Sequence, residues 1–237
     1  MLRVGATVLA LGAVLLRPAT AQATVYDAAG QFSLAGNPNG AWTYGYGTGG
    51  SSFIQMGPAS TSTTCGGSTG LPCFTNGLPA IGKNVTAANL TVAGTATIPN
   101  SVLWLHPGDA DNLDAILRFV APFAGTYNLA ATFSRLDFTG NGNGVVAAVY
   151  DNLAPLDSSV LAVGSYGTSV AFSNVVTLAA GDFLDFVVNR NGTYDYDSTG
   201  LSLTITSDTV SVPEPVGMAV LCVGLLGTCF AKRRQQG

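Results

Sequence analysis

The chain has 237 residues, of which 47% are apolar, 30 are glycine and only 9% are charged, with a formal net charge of −4. That balance excludes a disordered chain, which needs little apolar content and much charge, and it excludes coiled coils and helical bundles, whose Glu, Lys, Leu and Arg runs are absent. Between Thr24 and Val212 four basic residues (Lys83, Arg118, Arg135, Arg190) stand against twelve aspartates, a net −8 that repels phosphate backbones and anionic headgroups, so nucleic acid is not an expected partner.

The first element is an address. "MLRVGATVLALGAVLLRPATAQA" carries Arg3, an apolar stretch from Val4 to Leu16, and small residues at Ala19, Ala21 and Ala23. This is the layout of a secretory signal peptide over residues 1–23, handled by the Sec export machinery and signal peptidase. The body, residues 24–210, then alternates short apolar runs with Gly, Asn, Asp and Pro, and no stretch keeps a helical period. "QFSL", "AWTYGY" and "SFIQM" are its first expected strands. In "AWTYGYGTGG" the alternation puts Trp42, Tyr44 and Tyr46 on one strand face, either as core or as a platform on which sugar rings stack.

Residues 57–82 differ in character, being rich in Ser, Thr and Gly and holding Cys65 and Cys73. They read as a long surface loop clipped by a disulfide in an oxidising compartment. Two thiols without nearby histidines lack the four ligands of a structural zinc site. Asn84-Val85-Thr86, Asn89-Leu90-Thr91 and Asn191-Gly192-Thr193 match the N-glycosylation acceptor pattern, a three-residue signal short enough to arise mostly by chance.

Further expected strands are "ATI", "SVLWLH", "AILRFV", "YNLAATF", "GVVAAVY", "SVLAVGS", "SVAFSNVVTL", "DFLDFVVN" and "LSLTIT". In the last, Leu201, Leu203 and Ile205 fall on one face and Ser202, Thr204 and Thr206 on the other, the period of a half-buried strand. Turn signals such as Asn37-Pro38-Asn39-Gly40 and Ala180-Gly181-Asp182 separate the runs. Many short strands at this spacing predict an all-β, antiparallel, jelly-roll-like sandwich, flanked by the N-terminal signal helix and a C-terminal hydrophobic helix.

Two acidic stretches could carry chemistry. Asp109, Asp111 and Asp114 in "HPGDADNLD" offer hard oxygen ligands for Ca²⁺, although the glycine and closing glutamate of an EF-hand are missing; solvated charge and Asx turns are the plainer reading. Asp195 and Asp197 in "GTYDYDSTG" would share a side if extended, and paired carboxylates can hydrolyse glycosides, but a β-turn explains the same residues. His106, between Trp104 and Pro107, reads as a packed strand-end residue, and no Gly-x-Ser-x-Gly elbow accompanies it. No catalytic residue is therefore assigned, and neither a cofactor nor a structural metal is expected.

The chain closes on Val212-Pro213-Glu214-Pro215, an uncharged span from Val216 to Ala231, and the basic stop Lys232-Arg233-Arg234. Sixteen residues of helix cover roughly 24 Å, short of a hydrocarbon core of roughly 30 Å. The basic flank stays cytoplasmic, which puts the body on the far side, in agreement with the signal peptide. Two prolines hold Glu214 in an extended segment open to a protease groove. This order resembles the PEP-CTERM sorting signal of Gram-negative, often exopolysaccharide-producing bacteria, over residues 211–237 with the membrane helix at 216–231. The resemblance implies an exosortase as partner, cleavage near the triplet, and a precursor anchored in the inner membrane that ends at the cell surface or outside the cell.

Trp42-Thr43-Tyr44-Gly45, His106-Pro107-Gly108, Ala121-Pro122 with Gly125-Thr126-Tyr127, and Gly181-Asp182 with Asp185-Phe186 are similar to bodies often joined to that signal, including carbohydrate-binding-like sandwiches. The expected function is that of a non-enzymatic surface or matrix protein associated with exopolysaccharide; the alternative is a secreted glycoside hydrolase using aspartates.

Overall fold

The structure, a computed structural model, describes residues 23–208, and these form one compact unit, Ala23–Asp208. The expected signal peptide, the Val212–Pro215 triplet, the span at 216–231 and the Lys232-Arg233-Arg234 stop lie outside the described residues. Among the described residues no helix is long and apolar enough to cross a membrane.

The strands in chain order are β1 (Thr24–Asp27), β2 (Trp42–Gly47), β3 (Ile54–Gln55), β4 (Thr61–Ser62), β5 (Cys73–Thr75), β6 (Ala80–Lys83), β7 (Leu90–Val92) and β8 (Ala96–Ile98). They continue as β9 (Leu103–His106), β10 (Asp114–Val120), β11 (Gly125–Arg135), β12 (Val145–Asp151), β13 (Ala154–Leu161), β14 (Ser169–Leu178), β15 (Phe183–Asn189) and β16 (Thr199–Ser207). One sheet runs β14-β11-β16-β9-β6-β5-β4, with β1 also on β16; the other runs β13-β12-β15-β10-β2-β3; β7 and β8 form a separate hairpin. The pairing of these strands is antiparallel throughout.

The period-2 pattern explains the core. Tyr127, Leu129, Ala131 and Phe133 of β11 and Leu201, Leu203 and Ile205 of β16 point inward, while Asn128, Ala130, Ser202 and Thr204 face water. Ala115, Leu117 and Phe119 of β10 and Leu184, Phe186 and Val188 of β15 meet them from the opposite sheet, giving the aligned face-to-face packing of a sandwich. Strands β10 and β15 also carry apolar residues on their outer face. There Ile116, Ala148 and Val187 are covered by Phe53 and Tyr150, which makes a second, smaller apolar layer. On that face Arg118 donates two hydrogen bonds to the Asp185 carboxylate, at 2.7 and 2.8 Å, while its guanidinium lies 4.1 Å from the Phe53 ring centre and 3.7 Å from that of Phe183. The bidentate pair and the two rings satisfy a charge that would otherwise be costly to bury.

Two expectations are corrected, at residues 57–82 and at "QFSL". Residues 57–82 are not a plain surface loop: β4, β5 and the start of β6 extend the larger sheet, and Cys65, Leu71, Cys73 and Phe74 are buried. A disulfide does join Cys65 to Cys73, with Cα atoms 6.1 Å apart. By loop-closure entropy so short a bridge stabilises by roughly 2–3 kcal/mol. "QFSL" is irregular, because the Asp27 carboxylate accepts the N–H groups of Ala29 and Gly30 and turns the chain; Phe32 still reaches inward and packs edge-on against Tyr44 at 5.3 Å. Asn84 is fully buried, its amide donating to the carbonyls of Ala88 and Ile98, so it is a structural residue and not an accessible glycosylation acceptor.

Candidate functional site

A hollow of about 640 Å³ opens beside the end of β9 and is walled by five pieces of chain. Trp104 and His106 enter it from β9 because Leu103 and Leu105, the alternate residues, are committed to the main core. The disulfide-bearing segment supplies Ser62 and Cys65, and the β5–β6 turn supplies Thr75 and Leu78. The β7–β8 hairpin adds Val92, Ala93 and Thr95. Its two-residue turn has positive φ at both Ala93 (51°) and Gly94 (70°), the combination that suits the twist of a tight hairpin. That hairpin pairs Ala96 with Asp137 and accepts the Phe138 N–H on the Thr95 carbonyl at 2.9 Å, and so carries Asp137 to the floor.

The fifth wall is the connection from β15 to β16, with Tyr194, Asp195, Tyr196 and Ser198 on the hollow. Asp137 fixes it by accepting the Ser198 N–H at 2.8 Å, while the Leu136 N–H bonds the Ser198 carbonyl at 2.9 Å. Tyr196 sits at φ 64°, which turns the chain sharply between Asp195 and Asp197. Behind the turn Gly142 lies so close that a Cβ there would fall 2.7 Å from the Asp195 carbonyl oxygen, and its φ of +88° suits only glycine well.

The rings form a row: Trp104 to His106 at 5.9 Å between centres, then His106 to Tyr194 at 6.4 Å. His106 is half-buried, and burial lowers its pKa against the opposing influence of the Pro107 carbonyl and Asp195, which favours the neutral ring. Its Nδ1 lies 2.8 Å from the Pro107 carbonyl, which can only accept, so Nδ1 carries the proton and Nε2 keeps its lone pair. Trp104 is 3% exposed, and its Nε1–H is buried without an acceptor. Among the lining residues there is no lysine or arginine.

Behind the floor lies a buried ionisable group. Asp197 is 1% exposed and neither carboxylate oxygen has a hydrogen-bond partner. Burial, with Asp137 and Asp195 adding to it and Arg135 opposing, pushes its pKa up to about 8. Asp137 is raised as well, chiefly by burial, with the Ser198 N–H and Arg135 lowering it. Arg135 donates to the Asn141 carbonyl at 2.6 Å.

The sequence-derived candidates fare differently. Trp42, 1% exposed, and Tyr44, fully buried, belong to the main core, and Tyr46 packs against it; these three aromatics share a face as expected, but that face points inward and offers no platform. Asp195 and Asp197 do not act as a pair, since the Tyr196 turn leaves Asp195 exposed on the hollow and Asp197 enclosed behind it. The aspartates of "HPGDADNLD" do not converge either. Asp111, 91% exposed, pairs with Arg190 at 2.6 Å, whereas Asp114 is buried and accepts from the Gly49 N–H and the Asn189 amide. Among the described residues no three His, Cys, Asp or Glu side chains are placed to hold a metal ion. Trp104, Asp137 and Ser198 were missed; the alternation in "SVLWLH" already puts Trp104 and His106 on one face, which was the usable signal.

No known protein family and no curated protein matches the chain. Among solved structures, a family 35 carbohydrate binding module from Clostridium thermocellum overlays 51% of this chain and 88% of its own at 15% identity and a TM-score of 0.31. The module CBM51 from Clostridium perfringens GH95, solved with methyl-galactose, covers 55% of this chain and 90% of its own at 14% identity and a TM-score of 0.33. The Arthrobacter globiformis T6 isomalto-dextranase matches over 53% of this chain and 20% of its own, at 16% identity and a TM-score of 0.30. Overlays this loose assign neither a family nor a ligand to the chain.

Proposed function

We propose that this is an exported, non-enzymatic surface or matrix protein whose sandwich holds a carbohydrate in the hollow beside β9, and whose C-terminal segment is a sorting signal cut by an exosortase. The observation that carries the carbohydrate reading is the pair of half-buried rings His106 and Tyr194, backed by the buried Trp104, along a cavity that also presents hydroxyls and carboxylates. Sugar rings offer C–H faces to aromatic rings and hydroxyls to polar neighbours, so such a wall matches both halves of their surface. Two carboxylates facing one bond, as glycoside hydrolysis requires, are not assembled from Asp195 and Asp197.

The test is titration of the purified protein with exopolysaccharide from the producing bacterium. Tyr194→Ala, checked for unchanged far-UV circular dichroism, is expected to weaken binding at least about tenfold, the size of effect stacked aromatics give. Well-folded wild type that binds no glycan would remove the reading. The sorting reading rests on Pro213, Glu214 and Pro215 followed by the apolar span and the basic stop. Mass spectrometry of the mature protein is expected to find a C-terminus near residue 213, with the cell-surface or extracellular fraction as its source. A mature chain that keeps Gly237 in cells with a working exosortase would end it.

A further inference from the structure

Resting on the carbohydrate reading above, we infer that the hollow takes a glycan bearing free amines, a de-N-acetylated hexosamine chain, in preference to N-acetylated or uronic-acid chains. The lining is unbalanced in its hydrogen-bonding chemistry. Asp195 presents an exposed carboxylate, Asp137 lies buried at the floor behind it, and His106 lines the hollow with its Nδ1–H already used by the Pro107 carbonyl. No lysine or arginine among the lining residues answers them. An ammonium group brings three donors and no acceptor, and its hydrogen bonds to carboxylates are the charge-assisted kind. Tyr194, half-buried on the wall, adds an aromatic ring, and ring faces attract cations.

The rest of the site points the same way. A uronate or sulfate would instead set its charge against Asp137 and Asp195 in a partly enclosed space. At longer range the body's −8 draws cations and repels anions.

The experiment uses the purified protein and short oligosaccharides, followed by tryptophan fluorescence slightly below neutral pH. Glucosamine oligomers are expected to bind at least about tenfold more tightly than N-acetylglucosamine or galacturonic acid oligomers of equal length. Asp195→Asn, at an exposed position, is expected to erase most of that preference. Asp109→Asn removes the same charge from an exposed loop away from the hollow and is expected to leave the preference intact. Equal affinity for the oligomers, tighter galacturonate binding, or an equal loss in the Asp109 variant would each overturn the inference while leaving carbohydrate binding standing. Failure of every oligomer and of the exopolysaccharide would overturn both.

Discussion

Replacing Asp197 by Asn is expected to flatten the fall in thermal stability that the wild-type protein shows as pH rises from about 5 to about 9. In the folded chain this carboxyl holds its proton up to about pH 8, whereas its ordinary value is 3.8. A pKa raised by folding means that the native state binds the proton more tightly than the unfolded one. The associated stability is therefore complete below the unfolded value and is lost progressively as pH climbs through the folded one. The physical cause is enclosure: two carboxylate oxygens without partners, next to Asp137, with only Arg135 nearby to offset them. Asparagine cannot ionise, so the variant escapes the rising cost. Leaving a buried polar group unpaired costs about 1–3 kcal/mol and more when it is charged, and about 2–4 °C of Tm follows each kcal/mol in a chain of this size. Melting curves of both proteins across the range decide the matter. Parallel slopes would show that Asp197 is solvated, since the raised Asp114 and Asp151, which do not interact with it, act equally in both.

Phe119→Ala is expected to cost about 3–5 kcal/mol, a large part of the 5–15 kcal/mol that typically holds a domain together. Phe119 is fully buried at the meeting of three other rings: Tyr26 at 5.0 Å, Trp42 at 5.3 Å and Tyr127 at 5.5 Å, each near edge-to-face. Its removal leaves a void that these rings cannot close, since β1 and β11 are both held in register on β16 and β2 is held on β10. Phe119→Leu keeps much of the volume without the ring edges, so its smaller loss separates filling from aromatic geometry, worth about 0.5–1.5 kcal/mol per pair. Urea denaturation gives the measurement, with Val175→Ala on an exposed strand position as the reference for a change that costs within about 0.5 kcal/mol. A Phe119→Ala loss below about 1 kcal/mol would mean that the rings do not pack as described.

The long strands were readable because alternation alone settles them when one face is wet: "SVAFSNVVTL" is β14 residue for residue, and "LSLTIT" falls within β16 with the expected residues buried. "SVLAVGS" instead overlaps only the end of β13, which begins earlier at Ala154 and is pinned there by pairing with Asp151 rather than by its own hydrophobicity. The two- and three-residue strands β4, β5 and β7 have no period to detect; neighbours and the Cys65–Cys73 bridge hold them. The site was hidden for a similar reason. Trp42 and Tyr44 look like ligand-facing residues in a sequence, yet sidedness is fixed by which face the opposite sheet covers, and that depends on residues such as Phe74 stacked on Tyr44 at 4.9 Å. Asp137 and Ser198 are 61 positions apart and gain meaning only through their shared hydrogen bond.

Strand β16 starts one residue after Ser198, on the floor of the hollow, and finishes at Ser207, where the described chain leaves for its C-terminal segment. Along that length it is hydrogen-bonded to β11 over nine residue pairs, with β9 and β1 on its other side. Tension between a polymer gripped at the hollow and a tether at the C-terminus would thus be borne lengthwise by this one strand. Its ladders would have to slip together in shear, the stiff direction, instead of peeling open one rung at a time.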